Sequence, residues 1–212
     1  MRRTLTLSKL VQMTLSYFLF PILGYLFGSL PFSVLITRYV KHVDVRDSGS
    51  GHATTTNTIR QAGFGWGALV LVLDIAKGFI PTYLAVRQEN IPSYIIVLTA
   101  TFAVIGHCWP VFAQFRGGMG LATAGGTFLA TNPLTFLISL GLLILLVLVI
   151  RHSARATVFT GILVAPVLWL FNIRDVSFWV ALGAGIVIAI RFLIDWNRQY
   201  RELWLDREKK SG

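Results

Sequence analysis

The stretch Leu134–Ile150, LTFLISLGLLILLVLVI, carries no charge in seventeen residues. A helix crossing the hydrocarbon core of a bilayer needs about 20 predominantly apolar residues, so this run lies at the short end of spanning length. Inside hydrocarbon every backbone N–H and C=O needs an internal partner, which makes such a run a helix. Five similar runs flank it, at about 10–37, 64–86, 94–115, 156–172 and 176–194. Together they predict an all-α integral membrane protein.

Composition agrees. The 212 residues are 55% hydrophobic and 13% charged, about half the charged share of a soluble domain. The mean hydropathy is +0.68. The formal charge of +10 fits two kinds of partner, nucleic acid or the anionic cytoplasmic leaflet. The apolar runs select membrane lipid and argue against nucleic acid. One cysteine, Cys108, excludes an internal disulfide and a Cys-rich zinc site. His42, His52, His107 and His152 show no metal-ligand spacing. The opening MRRTLTLSKLVQMTLSYFLFPILGYLF has too long an apolar region for a signal peptide and no small-residue cleavage site, so it is read as a retained first span.

A weaker segment, Leu121–Asn132, is rich in small residues and suits a helix packed inside a bundle, ending at Pro133. Counting it as a seventh span, with the N-terminus outside and the C-terminus cytoplasmic, sorts the basic residues. Arg38, Lys41, Arg46, Arg60, Arg116, Arg151, Arg155, Arg191, Arg198, Arg201, Arg207, Lys209 and Lys210 then lie inside. Arg2, Arg3, Lys9, Arg87 and Arg174 lie outside, and the excess follows the positive-inside rule. This seven-helix bundle forms a single domain, 1–212. It has cytoplasmic loops at about 38–63, 115–121 and 151–157 and a cytoplasmic tail at 195–212 whose aromatic rings suit the interface.

Four polar features interrupt the apolar chain. RDSGSGHATTTNTIRQAG, Arg46–Gly63, combines glycines, hydroxyls, the Asn57 amide and Arg60, a set suited to phosphate. No Gly-Lys-Ser/Thr closes it, so it is not a Walker loop. A flexible connector between spans would have a similar composition. FRGGMGLATAGG, Phe115–Gly126, places Arg116 and three glycines before a helix start, which fits an anion site or close helix packing. LDIAKGFIP, Leu73–Pro81, sets Asp74 and Lys77 three apart on one helix face, where a structural ion pair is favoured over direct catalysis. IRHSARAT, Ile150–Thr157, holds Ser153 between two arginines, or is simply a solvated basic helix end. His107 reads as a packed or hydrogen-bonded histidine. No Ser-His-Asp set can be assembled by spacing.

Four segments, GSLPFSVLITR (28–38), GSG…TN..R (49–60), LDIAKGFIP (73–81) and GHCWPVFAQFRGGMGLAT (106–123), resemble in this order the bacterial PlsY family. Those are seven-span acyl-phosphate:glycerol-3-phosphate acyltransferases. The resemblance runs over about residues 25–160 and more weakly to Asn197. It implies transfer of an acyl group from acyl phosphate to the 1-hydroxyl of glycerol 3-phosphate, giving lysophosphatidic acid in phospholipid synthesis at the bacterial inner membrane. It implies no cofactor, and the substrate's own phosphate as proton acceptor.

By the same resemblance Ser50, Asn57 and Arg60 are catalytic. Gly49, Gly51, His52, Thr56, Arg116, Gly117, Gly118, Gly120, Ser153 and Asn197 bind substrate, and Asp74, Lys77 and His107 support the site. The chain departs from the family's GSGNxGATN at His52, Thr54 and Thr55. Met119 stands where GGKG has a lysine, and Ile194 where a histidine precedes Asn197 by three. The usual C-terminal Gly-Thr-Glu-Pro is absent. A re-purposed relative with another phosphorylated or lipid acceptor is the alternative. A small-solute transporter also fits the spans, but neither paired discontinuous helices nor inverted halves are evident. Acyl length and oligomeric state are open.

Overall fold

The first apolar run does not form one helix. In the computed structural model, which describes residues 7–47 and 49–197, α1 (Leu7–Gly28) stops and α2 (Phe32–Lys41) begins after Pro31. This corrects the reading of 10–37 as one continuous element. Proline has no N–H and disfavours helical backbone in the residue before it, and here α1 ends at Gly28, before Pro31. A break inside a membrane leaves backbone groups that need partners. Lys77 Nζ donates to Leu30 O at 2.9 Å and pairs with Asp74 Oδ1 at 2.8 Å. Both side chains are buried. The Asp-x-x-Lys spacing therefore holds the broken end of α1 against α4.

The remaining helices are α3 (Thr55–Ala62), α4 (Phe64–Arg87), α5 (Ser93–Cys108), α6 (Leu121–Thr131), α7 (Pro133–Ile150), α8 (Ser153–Leu170) and α9 (Val176–Leu193). No strand occurs among the described residues. Six segments are long and apolar enough to cross a membrane: α1 with α2, α4, α5, α7, α8 and α9. The fold is an all-α bundle of a multi-pass membrane protein. The eleven-residue α6, about 16 Å long, is not among the six. The basic residues Arg2, Arg3, Arg198, Arg201, Arg207, Lys209 and Lys210, and the tail beyond Asn197, lie outside the described residues.

Small residues set the close seams. Gly24 and Gly28 of α1 lie on the carbonyls of Thr99 and Ala103 in α5, with no room for a Cβ. Gly78 of α4 and Gly126 of α6 meet the opposite backbone in the same way. Lipid tails are as apolar as the helices, so such contact and interhelical hydrogen bonds drive association. α6 is buried from Thr123 to Phe128, as its Gly and Ala content predicts. Asn132 ends it and caps α7, its Oδ1 accepting from Leu134 N at 3.0 Å, with Pro133 in the first turn of α7.

Candidate phosphate and acyl site

A cavity of about 760 Å³ opens among α3, α4, α6, α7, α8 and α9. One end is polar and the rest is apolar. Ser50, His52, Thr54–Thr56, Arg60 and Ser153 line the polar end. Along α7 the lining runs from Leu148 to Phe136, a distance of about 18 Å on a helix. Leu140, Leu143, Ile144 and Val147 lie between them, with Phe128 of α6 and Val164 of α8 at the far end.

The segment Arg46–Gly63 is only half loop, because α3 occupies Thr55–Ala62. Thr54 caps α3, its Oγ1 accepting from Asn57 N at 3.2 Å. Gly49 and Gly51 turn the chain with φ of +61° and +70°, a region that glycine enters without strain. Asn57 is fully buried. Its Nδ2 donates to Val45 O at 2.6 Å and to His52 O at 3.1 Å, and its Oδ1 accepts from Ser50 N at 3.4 Å. The amide therefore shapes the loop and does not line the cavity. The two arginines of the stretch separate. Arg60 lines the cavity. Arg46 is buried, bound to Asp44 at 2.7 Å and donating to Ala113 O at 2.8 Å. The Arg46 hydrogen bond holds the Asp44 carboxyl well below the usual carboxylate range, against the opposing effect of burial.

Three helices begin at the polar end. Thr55 and Thr56 open α3, Leu121 and Ala122 open α6, and Ser153 opens α8, and all line the cavity. The first turns of a helix carry N–H groups without intrahelical partners and the positive end of the macrodipole. Gly120, at φ +86°, turns the chain into α6 and lines the cavity beside Met119. The arrangement offers an anion three positive helix ends together with Arg60.

Several residues predicted for the site sit elsewhere. Arg116 is exposed and does not line the cavity. Gly117 and Gly118 do not line it; they border a smaller recess with Asp74, Lys77 and His107, tied by Ala53 N to Gly117 O at 3.3 Å and Gly118 N to His107 O at 3.1 Å. Asn197 is exposed and accepts from Arg155 Nη2 at 3.4 Å. Ile194 is 67% exposed and turned outward. At the end of α9 Phe192 lines the cavity, and just beyond the helix Asp195 is buried. The spacing 188, 192, 195 continues the inner stripe of α9 by four and then three, a signal legible in the sequence that spacing to Asn197 obscured. Asp74 and His107 line the inner wall. His107 Nδ1 lies 3.7 Å from Asp74 Oδ1, beyond hydrogen-bond distance, with no partner among the described residues.

Residues 18–202 match the family model for glycerol-3-phosphate acyltransferase. The chain belongs to the glycerol-3-phosphate acyltransferase family. It is 42% identical over 135 residues to glycerol-3-phosphate acyltransferase 2 of Thermotoga maritima, covering 63% of this chain and 68% of the relative. It is 38% identical over 160 residues to a glycerol-3-phosphate acyltransferase of Listeria monocytogenes, covering 75% and 80%. The fold superposes on PlsY (YgiH), an integral membrane glycerol 3-phosphate acyltransferase, in its glycerol 3-phosphate form. That match has a TM-score of 0.76 and 34% identity over 86% of this chain and 91% of that one. The lysophosphatidic acid form matches with a TM-score of 0.75. Within this family Met119 is the departure that bears most on the site, because it lines the cavity where a lysine is expected.

Proposed function

We propose that this protein transfers an acyl group from acyl phosphate to the 1-hydroxyl of glycerol 3-phosphate, releasing inorganic phosphate and lysophosphatidic acid. One observation carries the reading. Three helix N-termini and Arg60 meet at the polar end of a cavity whose other end is an apolar sleeve. An acyl phosphate has the matching form, a dianionic head on a hydrocarbon tail. The sleeve of about 18 Å along α7 compares with about 15 Å for half of a hydrocarbon core about 30 Å thick, the depth of one lipid chain.

In the reaction the acceptor oxygen attacks the acyl carbonyl carbon. The bond from that carbon to the phosphate oxygen breaks, and the departing phosphate takes the hydroxyl proton. Arg60 and the helix ends stabilise the charge that gathers on the phosphate as it leaves. The apolar wall keeps the mixed anhydride away from water. Ser50 and Ser153 supply hydroxyls at the same end. The whole chain acts as a single domain of seven spans in a bacterial inner membrane, with α6 as the short one, the N-terminus outside and the tail cytoplasmic.

The test is phosphate release by the purified protein in detergent, given acyl phosphates of several lengths and glycerol 3-phosphate. Release above a catalyst-free control, requiring the acceptor, is expected. No release with any length overturns the reading. Release with a different phosphorylated acceptor alone supports a re-purposed site, for which Met119 is the motivating residue.

A further inference from the structure

We propose that His52 is a positioning residue that locks the polar end of the cavity together, and not a ligand for phosphate. The inference rests on the acyl-transfer reading for its kinetic consequence, but its geometry stands independently. His52 Nε2 lies 2.6 Å from Asp195 Oδ2, and Nδ1 lies 3.2 Å from Arg191 Nη2. Arg191 Nε in turn donates to Gly118 O at 3.1 Å. Arg191 and Asp195 are both buried.

The partners fix the tautomer. Arginine has only donors, so Nδ1 of His52 accepts. Nε2 then carries the proton and donates to the Asp195 carboxylate. Both ring nitrogens are engaged, and neither is offered to a substrate oxygen although the ring borders the cavity. The neutral imidazole bridges a buried cation and a buried anion, each of which needs such a partner.

The backbone of His52 completes the device. Its N–H donates to Ser50 Oγ at 3.4 Å, and its carbonyl accepts from Asn57 Nδ2 at 3.1 Å. One residue thus joins the Ser50 turn to the glycine turn at Gly118, through Arg191, and to the end of α9, through Asp195. Met119 and Gly120 follow Gly118 directly, so the lock sets where the start of α6 stands relative to Ser50. Small displacements of reacting groups cost rate before they cost binding.

The test uses His52→Ala, His52→Gln, Asp195→Ala and the His52→Ala/Asp195→Ala double variant of the full chain. Melting in detergent selects the folded fraction. Each alanine variant is expected to lose about tenfold in kcat, with KM for both substrates within about twofold. The double variant is expected to lose no more than either alone, and His52→Gln, which keeps a donor and an acceptor, to recover part of the rate. A rise in KM confined to the variants that change His52, with kcat losses that add in the double variant, marks a phosphate ligand and overturns the proposal. Unchanged kcat in all variants overturns it too. A second readout does not depend on turnover. In ¹⁵N-histidine-labelled protein, His52 is expected to show a protonated Nε2 and an accepting Nδ1, with the ring proton signal shifted in Asp195→Ala. The opposite tautomer, or a signal indifferent to Asp195, contradicts the lock. An unmodified protein that shows this signal but releases no phosphate refutes the acyl-transfer reading and leaves the lock standing.

Discussion

Two places where the bundle holds charge use it differently. At the break between α1 and α2, Lys77 binds Asp74 and a freed backbone carbonyl. Its charge is consumed by the fold. At the polar end of the cavity, Arg60 stands beside three helix N-termini on a wall that a ligand can reach. Both places combine an arginine or lysine with an apolar surrounding. The difference lies in where each side chain sits: Lys77 is closed in against the carbonyl of Leu30, whereas Arg60 borders the cavity. The same contrast separates the two arginines of Arg46–Gly63. Arg46 is buried against Asp44 and Ala113 O, away from the cavity that Arg60 lines.

Breaking the structural pair has the largest expected effect. Lys77→Met leaves Asp74 buried without its cation and is expected to cost about 3–5 kcal/mol of stability, seen as a large fall in melting temperature. The Asp74→Leu/Lys77→Met double variant removes both charges and is expected to recover part of that loss. A single variant as stable as the parent would show that the pair does not hold the break. The next effect sharpens the other side. Met119→Lys places a cation on the cavity wall beside Gly120. A charge-assisted hydrogen bond of about 1.5–3 kcal/mol corresponds to roughly tenfold or more, expected as a lower KM for glycerol 3-phosphate in steady-state kinetics. No gain would mean that the helix ends already saturate the phosphate.

The smallest effect concerns the clamp beside the loop. Asp44 is held below its usual range by Arg46, so its stabilisation is fully present above the unfolded carboxylate value and fades as pH falls through the lowered folded value. Asp44→Asn is therefore expected to melt lower than the parent at neutral pH, and the two curves to converge in strong acid. A gap that stays constant with pH would remove the ion pair from the account.

Much of this was legible in the sequence, for reasons that also mark the limit. Leu134–Ile150 reads as a span because seventeen uncharged residues admit no other structure in hydrocarbon. Asp74 and Lys77 read as a pair because three residues bring side chains to one helix face. The break at Pro31 was missed because the apolar run continues past it to residue 37. Its compensation comes from Lys77, forty-seven residues away from Leu30. Asn57 stands among the catalytic residues by resemblance, yet an amide is as well suited to tying a turn as to binding phosphate, and its burial and bonds to Val45 O and His52 O show the tie. Asn197 and Ile194 enter through the family resemblance, whereas Phe192 lines the cavity and Asp195 is buried. His52 reads as a substrate-binding residue at a position where the family has asparagine. Its link to Arg191 and Asp195 spans 139 and 143 residues and has no local signature.

The most direct test sets two arginines against each other. Arg60 lines the polar end, while Arg174 stacks on Trp169 at 4.2 Å from its ring centre, away from the cavity. Acceptor-dependent phosphate release is measured for Arg60→Ala and Arg174→Ala. The account predicts a loss of about a hundredfold or more for the first and a change within about twofold for the second. Equal losses at both positions, or full activity in Arg60→Ala, would contradict it.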